Sequence, residues 1–169
     1  SFNGSLNVKN TATVKSTESD EKSSEVTKYL SRNLVTKNAQ LSADGQSVHW
    51  TITVNGNNPI DISGAVITDY LPGDYEITSD IVMTSSKGGT VVIPNDGRGF
   101  SYTFPNGSNG SYTIRFTTSV DTSGIPVVTG GNTKPNKAQL TLDNKTYDSN
   151  EAYVYSGYSE FPYKEGGFL

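Results

Sequence analysis

The chain has no cysteine, and only one histidine, one methionine and one tryptophan in 169 residues. The missing cysteine excludes disulfides and thiolate metal sites. The lone histidine, His49, leaves no plausible His-based metal site and no Ser-His-Asp catalytic set. No apolar run approaches the length of a membrane span, and no signal-peptide pattern or phosphate loop is present. Lys and Arg number 13 against 17 Asp and Glu, a net charge of −4. These charges are scattered, so no basic patch suggests nucleic acid as a partner. No segment carries a convincing helical period.

What is present points to strands and turns. Only 33% of the chain is hydrophobic, yet it holds 10 Tyr and 6 Phe. Gly, Ser, Thr, Asn and Asp are abundant. The organising stretch is VHWTITVN at 48–55, where Val48, Trp50, Ile52 and Val54 alternate with His49, Thr51, Thr53 and Asn55. That period of two marks a half-buried strand, with Trp50 as core anchor and His49 on the solvated face.

Similar runs at 34–41, 60–70, 75–83, 90–93, 100–104, 112–118, 136–142 and 151–155 read as strands. Between them lie turns such as LPGD at 71–74, PNGSNG at 105–110 and the segment 143–150. Strands punctuated this often by turns predict an all-β sandwich.

The chain also resembles itself. NTATVKS, beginning at Asn10, parallels NKAQLTL, beginning at Asn136, and Ala12 with Ala138 and Glu25 with Glu151 keep the same offset. Lys37 aligns with Lys164 one residue further out. The expected organisation is a tail hairpin of a preceding repeat or linker at 1–33, one full sandwich repeat at 34–156, and the start of another at 157–169. The first hairpin is expected to pack at the junction.

Three polar residues fall in phase with apolar ones. Lys37 shares a strand face with Val35, Ala39 and Leu41. Asp69 follows Ala65 and Ile67, and Asn136 precedes Ala138, Leu140 and Leu142. Buried charges must be paired or neutralised. One resolution is a Lys37–Asp69 salt bridge with Asn136 hydrogen-bonded nearby. The other is covalent. Burial lowers a lysine pKa and raises that of an aspartate, so a neutral amine could attack the Asn136 carbonyl while protonated Asp69 polarises it. Ammonia would leave, and a Lys–Asn isopeptide bond would join two strands.

In this order, VTKNAQL, WTITVN, GAVITDYLPG, SYTIRFTTSV and NKAQLTL resemble the immunoglobulin-like repeats of Gram-positive surface adhesins and pilins, closest to the collagen-binding-adhesin type. The resemblance covers about 34–155. It implies an all-β, immunoglobulin-like β-sandwich of Greek-key type and an isopeptide cross-link between Lys37 and Asn136, with Asp69 as acid and proton shuttle. It also implies an extracellular, cell-wall-attached location and neighbouring repeats of the same chain as partners. Two departures stand out. No LPxTG-type sorting motif is visible, so the mode of anchoring is not legible, and no cysteine exists for the thioester of some adhesin tips. The missing cysteine favours a stalk repeat over a reactive tip.

The functional expectation is therefore a structural stalk domain, with no cofactor, no metal and no membrane insertion. The rival is a module that binds a host protein or glycan. A glycan-acting enzyme would need paired carboxylates in a cleft, which nothing indicates. Asn3, Asn106, Asn109 and Asn144 fit the glycosylation pattern but read as turn residues. Asp143, Asp148 and the acids of 74–80 lack calcium-loop spacing. Tyr153, Tyr155, Tyr158, Phe161 and Tyr163 form an aromatic run, read as the last strand and a junction.

Overall fold

The computed structural model describes residues 34–120 and 131–156. The hairpin expected within 1–33, the other half of the internal repeat and the segment 157–169 lie outside them. The described strands are β1 (Val35–Leu41), β2 (Ser47–Val54), β3 (Val66–Tyr70), β4 (Ile81–Ser85), β5 (Thr90–Ile93), β6 (Gly99–Thr103), β7 (Tyr112–Ser119), β8 (Gly131–Asn132), β9 (Gln139–Leu142), β10 (Lys145–Asp148) and β11 (Tyr155–Ser156). Among the described residues there is no helix.

Two antiparallel sheets form the sandwich. Sheet I has the order β1-β2-β7-β4-β5, and sheet II the order β10-β9-β3-β6; β8 and β11 make a separate pair. The chain passes from sheet I to sheet II after β2, returns at β4, crosses at β6 and again at β7. This traffic interleaves the apolar faces of both sheets.

The strand around Trp50 occupies the middle of sheet I. Val48, Trp50, Ile52 and Val54 are buried, while His49 is exposed. Trp50 faces Phe116 on β7 in register, and the rings stack at 6.4 Å. Tyr75 meets Trp50 edge-on at 5.5 Å, and Phe100 meets Phe116 edge-on at 5.6 Å. The Trp50 indole N–H donates to Thr118 Oγ1 at 2.9 Å, so burial leaves no donor orphaned.

Five local details differ from the sequence reading. Asn55, placed by alternation on the polar face, is buried. It ends β2 in a left-handed conformation (φ 61°), which turns its carboxamide onto the backbone of Ile60 and Gly110. The expected strand at 75–83 is regular only from Ile81, and Ile77 makes an isolated bridge to Thr118. The run at 60–70 pairs only from Val66.

The fourth difference is the segment 143–150, read as one turn. It is a two-residue hairpin tip, Asp143–Asn144, with both φ angles positive, followed by β10. Lys145, Thr146 and Asp148 are all exposed, so β10 carries no apolar face for periodicity to detect. In turn, 151–155 is not a continuous strand: Ala152 bridges Asn136 and only Tyr155 enters β11.

Candidate functional site

The site lies between the sheets. Lys37 extends from β1, the edge of sheet I, between buried Val35 and half-buried Ala39. Asp69 extends from β3 of sheet II, opposite Phe100 on β6. Asn136 precedes β9 on the same sheet as Asp69, tied by backbone hydrogen bonds in both directions to Ala152, at 2.9 and 2.8 Å. The alternation that set these residues in phase with apolar neighbours thus delivers all three into the core, where all are buried.

The three side chains converge on one carboxylate. Lys37 Nζ donates to Asp69 Oδ2, and Asn136 Nδ2 donates to Asp69 Oδ1 at 2.7 Å. The Lys37 ammonium position lies 4.6 Å from the Trp50 ring centroid and 5.6 Å from that of Phe116. The aromatic packing around Trp50 therefore walls the amine from water.

Electrostatics follow from that enclosure. Burial lowers the Lys37 pKa, opposed by the attraction of Asp69. Burial raises the Asp69 pKa, opposed by Lys37 and by the hydrogen bonds from Lys37 and Asn136. The ammonium–carboxylate and amine–carboxylic acid forms differ by the position of one proton along the Lys37–Asp69 hydrogen bond. Desolvation penalises the charged form at both ends, so it drives the pair toward the neutral form. A neutral lysine is a nucleophile, and a neutral carboxylic acid is a proton donor.

The other sequence candidates do not join this site. His49 is exposed and shares a 3.0 Å hydrogen bond with Thr117 Oγ1. Asp148 pairs with Lys137 on the outer surface. No metal-holding group of three His, Cys, Asp or Glu occurs among the described residues. Tyr153 and Tyr155 are exposed, and the rest of that aromatic run lies outside the described residues.

Sequence reasoning missed Asn150. Its carboxamide accepts from the Lys37 N–H at 3.0 Å and donates to the Lys37 carbonyl at 2.8 Å. It sits in the segment read as a turn, and no local signal links it to a strand more than a hundred residues away.

An antiparallel, immunoglobulin-like sandwich with a Lys, Asp and Asn buried between its sheets defines the class. The family follows from the sequence: residues 32–151 match the collagen-binding domain model, and the chain belongs to that family. No curated protein matches the chain in sequence.

Among solved structures, the collagen adhesin of Staphylococcus aureus is similar at 15% identity and a TM-score of 0.55. The match covers 73% of this chain and 49% of the adhesin, so the chain spans about half that protein's length. The collagen-binding subdomain of the Enterococcus faecalis surface protein ACE is similar at 14% identity and a TM-score of 0.55, covering 73% of this chain and 97% of the subdomain. The major pilin subunit of Bacillus cereus is similar at 15% identity and a TM-score of 0.50, covering 72% of this chain and 40% of the pilin. At these identities the structural likeness speaks for the fold. The family is described by binding rather than by turnover.

Proposed function

We propose that this is a mechanically robust domain of a Gram-positive cell-surface adhesin, locked by an isopeptide bond that forms spontaneously between Lys37 and Asn136. The carrying observation is that the amine and the carboxamide both contact the same buried carboxylate. Neutral Lys37 Nζ attacks Asn136 Cγ. With the carboxamide turned about Cβ–Cγ, its oxygen takes the place of its nitrogen beside Asp69 Oδ1, and protonated Asp69 donates to it. The tetrahedral intermediate collapses as Asp69 relays a proton from the attacking nitrogen to the departing one. One C–N bond forms, one breaks, and ammonia leaves; no oxidant or cofactor is needed.

The cross-link would join β1 of sheet I to the approach of β9 in sheet II. Tension along the chain would then pass through one covalent bond and bypass nearly all strands between Lys37 and Asn136. The bond would restrict the unfolded ensemble as a disulfide does, in a chain without cysteine. Intact mass tests this. The purified domain should weigh one ammonia less than its sequence, and Lys37→Ala should have its full calculated mass. Full mass in both would defeat the cross-link.

A second reading, direct binding of a host extracellular protein, is supported by the family match and by a surface groove. The groove, of about 680 Å³, lies on the outer face of sheet I and is lined by Gln40, His49, Thr51, Val82, Arg115 and Thr117. Since the family model and two similar structures are described by collagen, collagen is the ligand to test. Thr51→Trp, which projects a large ring into the groove, should weaken capture of the domain by immobilised collagen at least about tenfold. Failure of the unmodified domain to bind would leave the stalk role alone.

A further inference from the structure

The segment that follows β10 contains an irregularity with a direct bearing on Lys37. β9 and β10 pair with Leu142 opposite Lys145 and Gln139 opposite Asp148, and the ladder continues with Ser149 against Ala138. The Ser149 N–H donates to the Ala138 carbonyl at 2.9 Å, and the Ala138 N–H donates to Ser149 Oγ at 2.8 Å. The next pair, however, is Ala152 with Asn136. The register has slipped by one residue, so Asn150 and Glu151 together face Lys137 alone. That is a β-bulge. The burial pattern agrees: Ser149 and Ala152 are both buried, and Asn150 and Glu151 between them are exposed.

A bulge re-aims side chains. Here it turns Asn150 across the open side of the sandwich toward β1. As an edge strand, β1 presents the Lys37 N–H and C=O outward, and the Asn150 carboxamide takes both, as a neighbouring strand would. Two residues further on, Ala152 holds the backbone of Asn136 on both sides. One short strap therefore grips the backbone at both residues that the cross-link would join, one in each sheet.

We propose that Asn150 is a positioning residue for the Lys37–Asn136 reaction, fixing the Lys37 backbone in register with Asn136 through the bulged strap. This rests on the cross-link reading given above. Asn150 touches neither reacting atom; it sets the distance the amine must span. Displacements on the order of 1 Å can slow a positioned reaction by about 100-fold.

The test follows bond formation in time. The full chain is made by cell-free translation, synthesis is stopped, and samples quenched in acid are weighed intact at intervals. Asn150→Ala should lose ammonia at least about 10-fold more slowly than the unmodified chain. Asn150→Asp keeps the acceptor for the Lys37 N–H and should recover part of the rate. A buried apolar substitution remote from the site, Ile93→Ala on β5, should lower the melting midpoint yet leave the rate unchanged, which a merely structural role for Asn150 would not predict. If the alanine variant does not fold, Asn150→Gln, which displaces the same amide by one methylene, decides the matter by the same readout.

Cross-linking of the Asn150 variants within about twofold of the unmodified rate, or slowing no greater than that of Ile93→Ala, would overturn the proposal. No ammonia loss in the unmodified chain would overturn the cross-link reading itself, and is a distinct result.

Discussion

Lys37 with Asp69, and Lys137 with Asp148, are the same chemical pair in two surroundings. The first is fully enclosed, with both side chains 0% exposed; the second lies on the outer surface at 44% and 43%. The carboxylates respond in opposite directions. Asp148 has its pKa lowered, chiefly by the hydrogen bond from Lys137. Asp69 has its pKa raised, because desolvation outweighs a lysine in direct contact. Lys137 directly follows Asn136, so one step along the chain separates the two regimes. A lysine contact alone does not decide whether an aspartate is a charged partner or a neutral acid; access to water does.

The largest break in this comparison is Asp69→Ala. It leaves Lys37 in the core without a partner and removes the acid, so the ammonia is retained. Losing one member of a buried pair costs about 3–5 kcal/mol, readable as a lower urea midpoint. Lys37→Met should cost less. It also prevents the cross-link, a loss comparable to that of a disulfide, about 2–4 kcal/mol. However, its aliphatic chain keeps the aromatic contacts and leaves Asp69 able to stay neutral. Both variants lack the cross-link, so if Lys37→Met proved the more damaging, the view that an orphaned buried lysine costs more than a lone buried carboxylic acid would be wrong.

Acidity sharpens the contrast through its sign. In Lys37→Met, the folded state holds the Asp69 proton above the ordinary carboxylate value of 3.8. Folding then binds protons, so stability falls as pH rises from that value through the folded pKa, by at most about 1.4 kcal/mol per pH unit. Asp148 behaves in the reverse way. Its pKa is depressed below 3.8, so its contribution is present above that value and is lost as pH falls through the folded pKa. Urea midpoints across the acid range check both slopes: Lys37→Met set against the double variant Lys37→Met with Asp69→Asn isolates Asp69, and the unmodified protein set against Asp148→Asn isolates Asp148. Equal signs would contradict the comparison.

The smallest effect belongs to Lys137→Met. An exposed pair contributes on the order of 0–1 kcal/mol, and added salt should erase the difference from the unmodified protein.

Much of the site was legible because strands alternate. Lys37, Asp69 and Asn136 each broke an apolar face, and a polar residue in phase with Ile67 or Ala138 has nowhere to go but inward. Trp50 was found in the same way, as the buried member of a period of two. What escaped lay where the backbone leaves that period. Asn55 turns inward only because its φ is positive. β10 has no apolar face to reveal it. Asn150 reaches β1 only because a bulge shifts the strap by one residue, a long-range event invisible to local pattern. The family resemblance implied a cross-link between two of the three residues but was silent on the strap.

The most direct test is to digest the purified domain and sequence its peptides by tandem mass spectrometry. Digestion should yield one branched peptide in which Lys37 Nζ is bonded to the Asn136 side-chain carbonyl, with one ammonia missing. Recovery of both residues only in linear, full-mass peptides would contradict it.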